Sequence, residues 1–537
     1  MQCVIPAAGR GVRFNELGKN YPKCVLPFQE IPIIVHNIRF AFEAGARLVT
    51  IVTGHQGHRI IEIVKMYFPD DQRIRFEDYV HIGNGGPAVS IYCGLSTDLI
   101  AQNEPVLVLL SDIIVKTIPD MWFANGSVSW VSVQKVSDWN RWCMAEVEDS
   151  RIKAFHDKPA DKPPTNLAVS GVYYFANGAR FRQSLHVAIY NARARVRDGE
   201  IQISQAMSLY NSAEEIQVKE ISIKDFGTLQ EYLENRGIKN SREFNQVHAT
   251  DKGMTITKSS QTQPAKIQAE MNWYENLPLP VKLLTPRILD KKPYGTIESG
   301  RPTYTMERID SPTLRELYLY LESDPAFWTE IYNKLFGILD TFKFYYKPGV
   351  YSEFFDKMSE KNWERFLEMV EEKPDIDFDL SREFLRKFDE LKESEDGFVH
   401  WTDSLSHGDF CFSNIFYHPG SKQIKLIDPR GDAYGNILYD LAKLTHSAYY
   451  PYDYIDAELY VKKDEEIIIF DAGKEAAREA YKTAFIAKYG EHVWCLTLFL
   501  TASLFLSMIP LHSHNRTNQE VFYALYRKAA TDSGFVQ

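Results

Sequence analysis

Short apolar runs separated by helical patterns fill the first 235 residues, and no later part of the chain repeats that alternation. Gln2–Pro6, Leu48–Val52, Val106–Leu110, Val128–Val133, 171–175 and 216–223 read as strands. Ile33–Ala44 and 228–235 read as helices. Strands spaced by helices predict a mostly parallel sheet covered on both faces. In such sheets ligands bind at the carboxyl ends of the strands.

A polar stretch from Gly237 to Gly253 ends this half. It divides the chain into a domain at 1–240, a linker at 241–252 and a domain at 253–537. Two domains suit a length of 537 residues. The second half begins strand-rich, to about residue 310, and continues with amphipathic helices at 313–322, 326–345, 361–371 and 382–393. A loop-and-strand segment at 404–429 interrupts them. A small β-lobe followed by a large α-lobe is the plan of a kinase-like fold.

Composition narrows the function classes. Hydrophobic residues make up 45% and charged residues 25%, ordinary for a globular protein. The net charge of −11 disfavours a nucleic-acid binder. The six cysteines include no C-x-x-C pair, so neither zinc nor a redox motif is signalled. Met1–Ala8 has no charged leader, and the expected location is cytoplasmic. Trp494–Leu511 is nearly long enough to span a bilayer. Its four Ser and Thr residues, Pro510 and the lack of flanking basic clusters predict a buried core helix instead.

Two constellations carry chemistry. The first opens directly after strand one, at Ala8-Gly9-Arg10-Gly11-Val12-Arg13. Small residues let the backbone approach a nucleotide, and Arg13 can neutralise phosphate charge. Lys23, behind Pro22, can hold an anion. Asp112 ends an apolar strand and is suited to Mg2+, with Asp225 as a second carboxylate. Two carboxylates and one metal suit in-line phosphoryl or nucleotidyl transfer. Asp225 can alternatively be the N-cap of the helix that starts at Leu229.

Over residues 1–237 these motifs resemble the sugar-nucleotidyltransferase family. The match runs through Gly9, Gly11, Arg13, Pro22, Lys23, Leu26 and Pro27, with Val25 where Leu is usual. It continues through the loop Gly83-Asn84-Gly85-Gly86, then Ser111-Asp112, with Ser where Gly is usual. His156-Asp157-Lys158-Pro159, Gly171–Phe175, Gly199-Glu200 and Asp225–Thr228 complete it. The resemblance implies a Rossmann-like glycosyltransferase-A-type α/β fold. Ala8, Gly9, Gly11, Gly83 and Gly85 would bind the nucleotide, and Lys158, Gly171 and Glu200 the phosphorylated acceptor. Arg13 and Lys23 would act on the phosphates, and Asp112 and Asp225 would hold Mg2+.

The second constellation is His407-Gly408-Asp409-Phe410-Cys411-Phe412-Ser413-Asn414, followed by Leu426-Ile427-Asp428. Asp409 can take the proton of an acceptor hydroxyl, while Asn414 and Asp428 ligate Mg2+. From 253 to 530 the chain resembles the aminoglycoside phosphotransferase and choline kinase family. The resemblance implies a two-lobed protein-kinase-like fold. It makes Lys258 the ATP lysine, with Lys266 as a rival, Glu270 its helix partner, and Tyr304–Arg308 with Met306 the adenine hinge. Asp440 reads as structural.

Together the resemblances imply a bifunctional enzyme, a kinase joined to a nucleotidyltransferase, with Mg2+ at both sites. The kinase would phosphorylate a sugar or polyol with ATP. The first domain would couple the product to CTP or UTP, releasing pyrophosphate, for a surface glycan such as capsule or lipopolysaccharide. Choline or ethanolamine is the alternative acceptor, because tyrosines cluster at 345, 346 and 351 and again at 449–454. A different class, a ligand-binding regulatory C-terminal domain, also stays open. No nucleic acid or membrane partner is expected.

Overall fold

The computed structural model describes residues 1–9, 11, 21–79, 85–95, 103–115, 128–195, 200–235, 245–250, 254–293, 302–321, 324–346, 353–372, 377–398, 401–432, 434–463, 466–471 and 473–536. The chain divides into two compact units, Met1–Gly237 and Ile238–Gln537.

The first unit is an α/β structure. In chain order it contains β1 (Gln2–Pro6), the hairpin β2 (Pro27–Phe28) and β3 (Ile31–Pro32), α1 (Ile33–Glu43), β4 (Leu48–Thr53), α2 (Gly57–Tyr67) and β5 (Ile74–Asp78). There follow α3 (Pro87–Gly94), β6 (Val106–Leu109), β7 (Ile113–Val115), β8 (Ser129–Lys135), β9 (Cys143–Glu148), β10 (Arg151–Asp157) and β11 (Leu167–Phe175). The unit closes with α4 (Gly178–Arg195), α5 (Ile203–Asn211), β12 (Ile216–Glu220), β13 (Ile223–Asp225) and α6 (Leu229–Asn235).

Nine strands form one sheet in the order β5-β4-β1-β6-β11-β8-β12-β10-β9. It is parallel from β5 to β6 and between β8 and β12. Elsewhere it is antiparallel, with β11 reversed against both β6 and β8. The sheet is therefore mixed, and the mostly parallel expectation is corrected. One cause is local. Asp149 and Ser150 take φ of 48° and 65°, the twist a two-residue hairpin needs, and that hairpin forces β10 back along β9. The run expected as one strand at 216–223 is two: β12 joins the large sheet, and β13 leaves it to pair with β7. The core between sheet and helices is aliphatic, with Val4, Val52, Val108, Val131 and Phe175 fully buried.

The second unit starts with a four-stranded antiparallel sheet of β14 (Asn245–Thr250), β15 (Thr255–Ser260), β16 (Ile288–Lys292) and β17 (Thr303–Glu307). The order is β14-β15-β17-β16, and α7 (Pro264–Asn276) follows β15. β14 lies inside the stretch expected to be linker at 241–252, so 245–250 belong to this sheet. The rest of the unit is rich in helix. A turn at Leu314–Glu316 continues as a π-helix at Leu317–Leu321, where one regular helix was expected. Then come α8 (Pro325–Phe344), α9 (Phe354–Glu372) and α10 (Phe378–Glu393). Short ladders follow: β18 (Ser404–Leu405) with β21 (Tyr434–Gly435), and β19 (Ile415–Tyr417) with β20 (Ile424–Leu426). α11 (Ile437–Ala448), α12 (Glu475–Tyr489), α13 (Glu491–Leu511) and α14 (Arg516–Asp532) follow, with a short helix at Tyr452–Asp456 and a hairpin of Tyr460–Lys463 and Glu466–Ile469 between α11 and α12.

α13 is the apolar stretch flagged in the sequence. It is long and apolar enough to cross a membrane, yet 89% of its apolar window is buried inside the unit. It packs against α9, α11 and α14. Two of its hydroxyls bond back within the helix, Thr501 donating to the Thr497 carbonyl at 2.8 Å and Ser507 to that of Ser503 at 3.1 Å, while Ser503 donates to Asn362 Oδ1 of α9 at 2.5 Å. It is a core helix.

Candidate active sites

In the first unit the site is built at the end of β6. All four β6 residues are fully buried. β7 then pairs antiparallel with β13, with Asp225 opposite Ile113. The Phe226 amide donates to the Asp112 carbonyl at 2.8 Å. This register brings Asp112 and Asp225 to one sheet edge.

Lys23 Nζ donates to Asp112 Oδ2 at 2.8 Å, both side chains about a quarter exposed. The Asp225 carboxyl is pushed up to about 7, first by burial and then by the charges of Asp112 and Glu231. Arg141 opposes this. Its guanidinium lies 3.5 Å from Asp225 Oδ2 and 2.8 Å from Asp138 Oδ2, and it also bonds Glu231. Thr228 caps α6: its hydroxyl accepts the Glu231 amide at 3.2 Å, and the Glu231 carboxylate accepts the Thr228 amide at 3.1 Å. Asp225 is thus not the N-cap, and accepts the Gly227 amide at 2.9 Å instead.

Most of the other expected residues lie in described segments of this unit. Ala8 and Gly9 follow β1, and Gly11 takes φ of 62°. The Gly85 carbonyl accepts the Ile201 amide at 2.8 Å, which ties the glycine loop to the turn carrying Glu200. Gly86 is required there, because its φ is 111° and a Cβ would stand 2.6 Å from the Ile201 nitrogen. The Gly171 carbonyl accepts the Leu110 amide at 3.0 Å, just before Asp112. Lys158 is exposed at the end of β10, with φ of 45° and its amide bonded to the Trp142 carbonyl at 2.9 Å. Arg13 and Gly83 lie outside the described residues. Arg141 was not singled out from the sequence, because a lone Arg in a three-residue turn matches no motif.

Among the described residues no three His, Cys, Asp or Glu side chains gather to hold a metal. Two carboxylates suit Mg2+, which is commonly held by one or two of them together with substrate phosphates. Asp112 and Asp225 fit that donor set.

In the second unit Lys258, 2% exposed on β15, donates to Glu270 Oε2 at 2.7 Å and to Asp428 Oδ1 at 3.0 Å. Tyr304 Oη donates to the same Glu270 oxygen at 2.8 Å. Burial works against the Lys258 charge, but Asp428 and Glu270 outweigh it and hold its pKa above the usual lysine value. The rival Lys266, one helical turn before Glu270 on α7, is 31% exposed and reaches Glu270 only at 4.0 Å. Met306 lies on β17, paired with Ile256 and Ile288.

The β19–β20 hairpin aligns the remaining groups. Ile415 pairs with Leu426, and the Ile427 amide donates to the Asn414 carbonyl at 3.0 Å. Asn414 and Asp428 therefore flank the same hairpin end. Asn414 Nδ2 donates to Asp409 Oδ2 at 2.9 Å, and Lys443 Nζ lies 3.0 Å from Asp409 Oδ1. Asp440 is fully buried beneath the loop and accepts the Ser406 hydroxyl and the amides of His407 and Gly408 at 2.8–2.9 Å. Lys443 went unnoticed in the sequence. Its signal is its position three residues after Asp440 on one helix.

Residues 2–239 match the family described as Nucleotidyl transferase. The chain is 25% identical over 181 residues to the low-salt glycan biosynthesis nucleotidyltransferase Agl11 of Haloferax volcanii, covering 33% of this chain and 49% of that protein. The match thus spans about half of that relative's length. The chain is 27% identical over 257 residues to a UTP–glucose-1-phosphate uridylyltransferase of Staphylococcus epidermidis, covering 40% of this chain and 83% of that one. Among solved structures, apo UDP-glucose pyrophosphorylase aligns at a TM-score of 0.36 and 23% identity over 44% of this chain and 96% of that chain. Residues 2–239 of this chain form a nucleotidyl transferase domain.

Proposed function

We propose that the chain is a bifunctional enzyme. The second unit phosphorylates a small hydroxylated acceptor with ATP, and the first joins the resulting phosphate to UTP or CTP. The observation that carries the kinase half is Lys258, buried between Glu270 and Asp428 at 2.7 and 3.0 Å. A strand lysine paired to a helix glutamate, beside an Asp at a strand end, is the arrangement that holds ATP in protein-kinase-type sites. The nucleotidyltransferase half draws on the family match and on the Lys23–Asp112 and Arg141–Asp225 pairs. The names of the Haloferax and Staphylococcus relatives favour UTP, a sugar phosphate and a glycan pathway.

In the kinase step Asp409 takes the proton of the acceptor hydroxyl. The oxygen forms a bond to the γ-phosphorus as the β–γ bridge breaks, and ADP leaves with the bonding electrons. Asn414 spends Nδ2 on Asp409, so its amide oxygen can face a metal beside Asp428. In the second step a phosphate oxygen of the product attacks the α-phosphorus of the nucleotide, and pyrophosphate leaves in line. Lys23 orients the phosphates, Lys158 meets the acceptor phosphate, and Arg13 opposes charge developing on the transferred group. Mg2+, held by Asp112 and Asp225 in one site and by Asn414 and Asp428 in the other, would neutralise phosphate charge when bound.

The test is a one-pot screen of the full chain with ATP, UTP, CTP, GTP and Mg2+ against pooled polyols, sugars and amino alcohols. ADP, pyrophosphate and nucleotide conjugates are read by anion exchange with mass detection. Asp409→Asn should abolish the conjugate unless phosphorylated acceptor is added, and Asp112→Asn should accumulate phosphorylated acceptor. ADP formation that persists in Asp409→Asn would sink the kinase assignment.

A further inference from the structure

Charge at the proposed hydroxyl-accepting carboxylate sorts acceptors. Lys443 Nζ, 14% exposed, lies 3.0 Å from Asp409 Oδ1. Burial pulls its charge down, but Asp409 more than restores it, so the group stays an ammonium. One turn earlier on α11, Tyr439 carries the Arg430 guanidinium over its ring at 5.8 Å. Two cations therefore border the loop that carries Asp409, with Arg430 only loosely offset by Asp432 at 3.8 Å. The nearby carboxylates are already engaged. Asp440 takes three donors from residues 406–408, and Asp453 faces Arg315 at 3.7 Å.

Within the 449–454 cluster that suggested an ammonium cage, three tyrosines are used otherwise. Tyr450 and Tyr454 are buried in the core, and Tyr452 stacks on His446 with ring centres 4.2 Å apart. An acceptor hydroxyl within hydrogen-bond reach of Asp409 must come close to Lys443, and a fixed ammonium on that acceptor would meet a like charge.

We propose that Lys443 is a specificity-determining residue of the kinase site, which takes uncharged or anionic polyols and sugars and rejects ammonium-bearing alcohols. This rests on the kinase reading above. The step itself is unchanged: the hydroxyl proton goes to Asp409, the O–P bond forms, and ADP leaves.

The experiment measures ADP formation by the full chain with glycerol, ribitol, glucose, gluconate, choline and ethanolamine. The best uncharged or anionic acceptor should exceed both amino alcohols in kcat/KM by at least about tenfold. Lys443→Met should shrink that ratio by about tenfold, mainly through KM for the amino alcohols, and Lys443→Arg should preserve it. Choline or ethanolamine as the best wild-type acceptor overturns the inference and leaves the kinase reading standing. So does a Lys443→Met variant that weakens all acceptors alike, as a purely structural role would. No ADP from any acceptor overturns the kinase reading and this inference with it. If Lys443→Met does not fold, the wild-type ratio and Lys443→Arg decide.

Discussion

Asp440 Oδ2 accepts the backbone amide of His407 at 2.9 Å, fastening α11 to the loop that carries Asp409. The same carboxylate takes the Ser406 hydroxyl at 2.9 Å and the Gly408 amide at 2.8 Å. Asp440→Ala strands these buried donors, and each costs about 1–3 kcal/mol. The thermal midpoint of the second unit should fall, and ADP formation should fall with it. An unchanged midpoint would mean the loop holds itself.

Acid should destabilise the second unit. Burial lowers the pKa of His407 to about 4, and burial followed by the Lys443 charge pushes His446 well below its usual value. Both are neutral in the fold, while the unfolded chain takes up protons near about pH 6.5. Their stabilisation is present above that pH and is lost as pH falls through the folded values. Asp440 has the opposite sign: burial raises it to about 6, so its contribution is lost as pH rises from its unfolded value through about 6. Glu270, also raised by burial, shares the sign of Asp440, so the loss towards acid is carried by the two histidines. His446→Phe, which keeps a ring against Tyr452, should flatten the fall in melting temperature between about pH 7 and pH 5. An equally steep fall would show that His446 does not titrate there.

Arg141 steadies the carboxylates of the first site. Arg141→Leu leaves Asp225 and Glu231 facing each other without the guanidinium, while the Thr228 cap of α6 remains. Pyrophosphate release should drop by about tenfold or more with little change in melting temperature, and Arg141→Lys should recover part of it. Equal activity in all three proteins would remove Arg141 from the site.

Gly408 admits no side chain. Its φ is 73°, and a Cβ would stand 2.6 Å from Arg430 Cβ. Gly408→Ala should cost at least about 1–2 kcal/mol from backbone conformation alone. ADP formation should be lost, and pyrophosphate release from supplied sugar phosphate and UTP should persist. Combining it with Arg430→Gly should relieve only the steric share, and full recovery would show that the backbone strain is negligible.

Several elements were legible in the chain because their signals are local. Apolar runs marked β1, β4, β6 and β8, and the Ser, Thr and Pro content of α13 marked it as core. Signals that depend on partners were not legible. Nothing local in 216–223 says that its first half joins the large sheet while its last residues turn to β7. The polar composition of 245–250 looks like a linker, and only pairing with β15 makes it a strand.

The candidate sites divide in the same way. Asp112, Asp225, Asp409, Asn414 and Asp428 stand out by residue type and spacing, since ligand chemistry demands carboxylates and amides at strand ends. The choice between Lys258 and Lys266 could not be read from spacing. Burial separates the two: Lys258 on β15 is 2% exposed and bonded to Glu270 of α7, and Lys266 is 31% exposed. Arg141 and Lys443 have no motif, because an ion pair between distant segments leaves no periodicity. Residue order is enough to mark which segments are apolar, where small and acidic residues cluster, and that two textures meet between residues 237 and 253. Sheet direction, strand partners and the cations beside each carboxylate arise only on folding, because they depend on contacts between residues far apart in the chain.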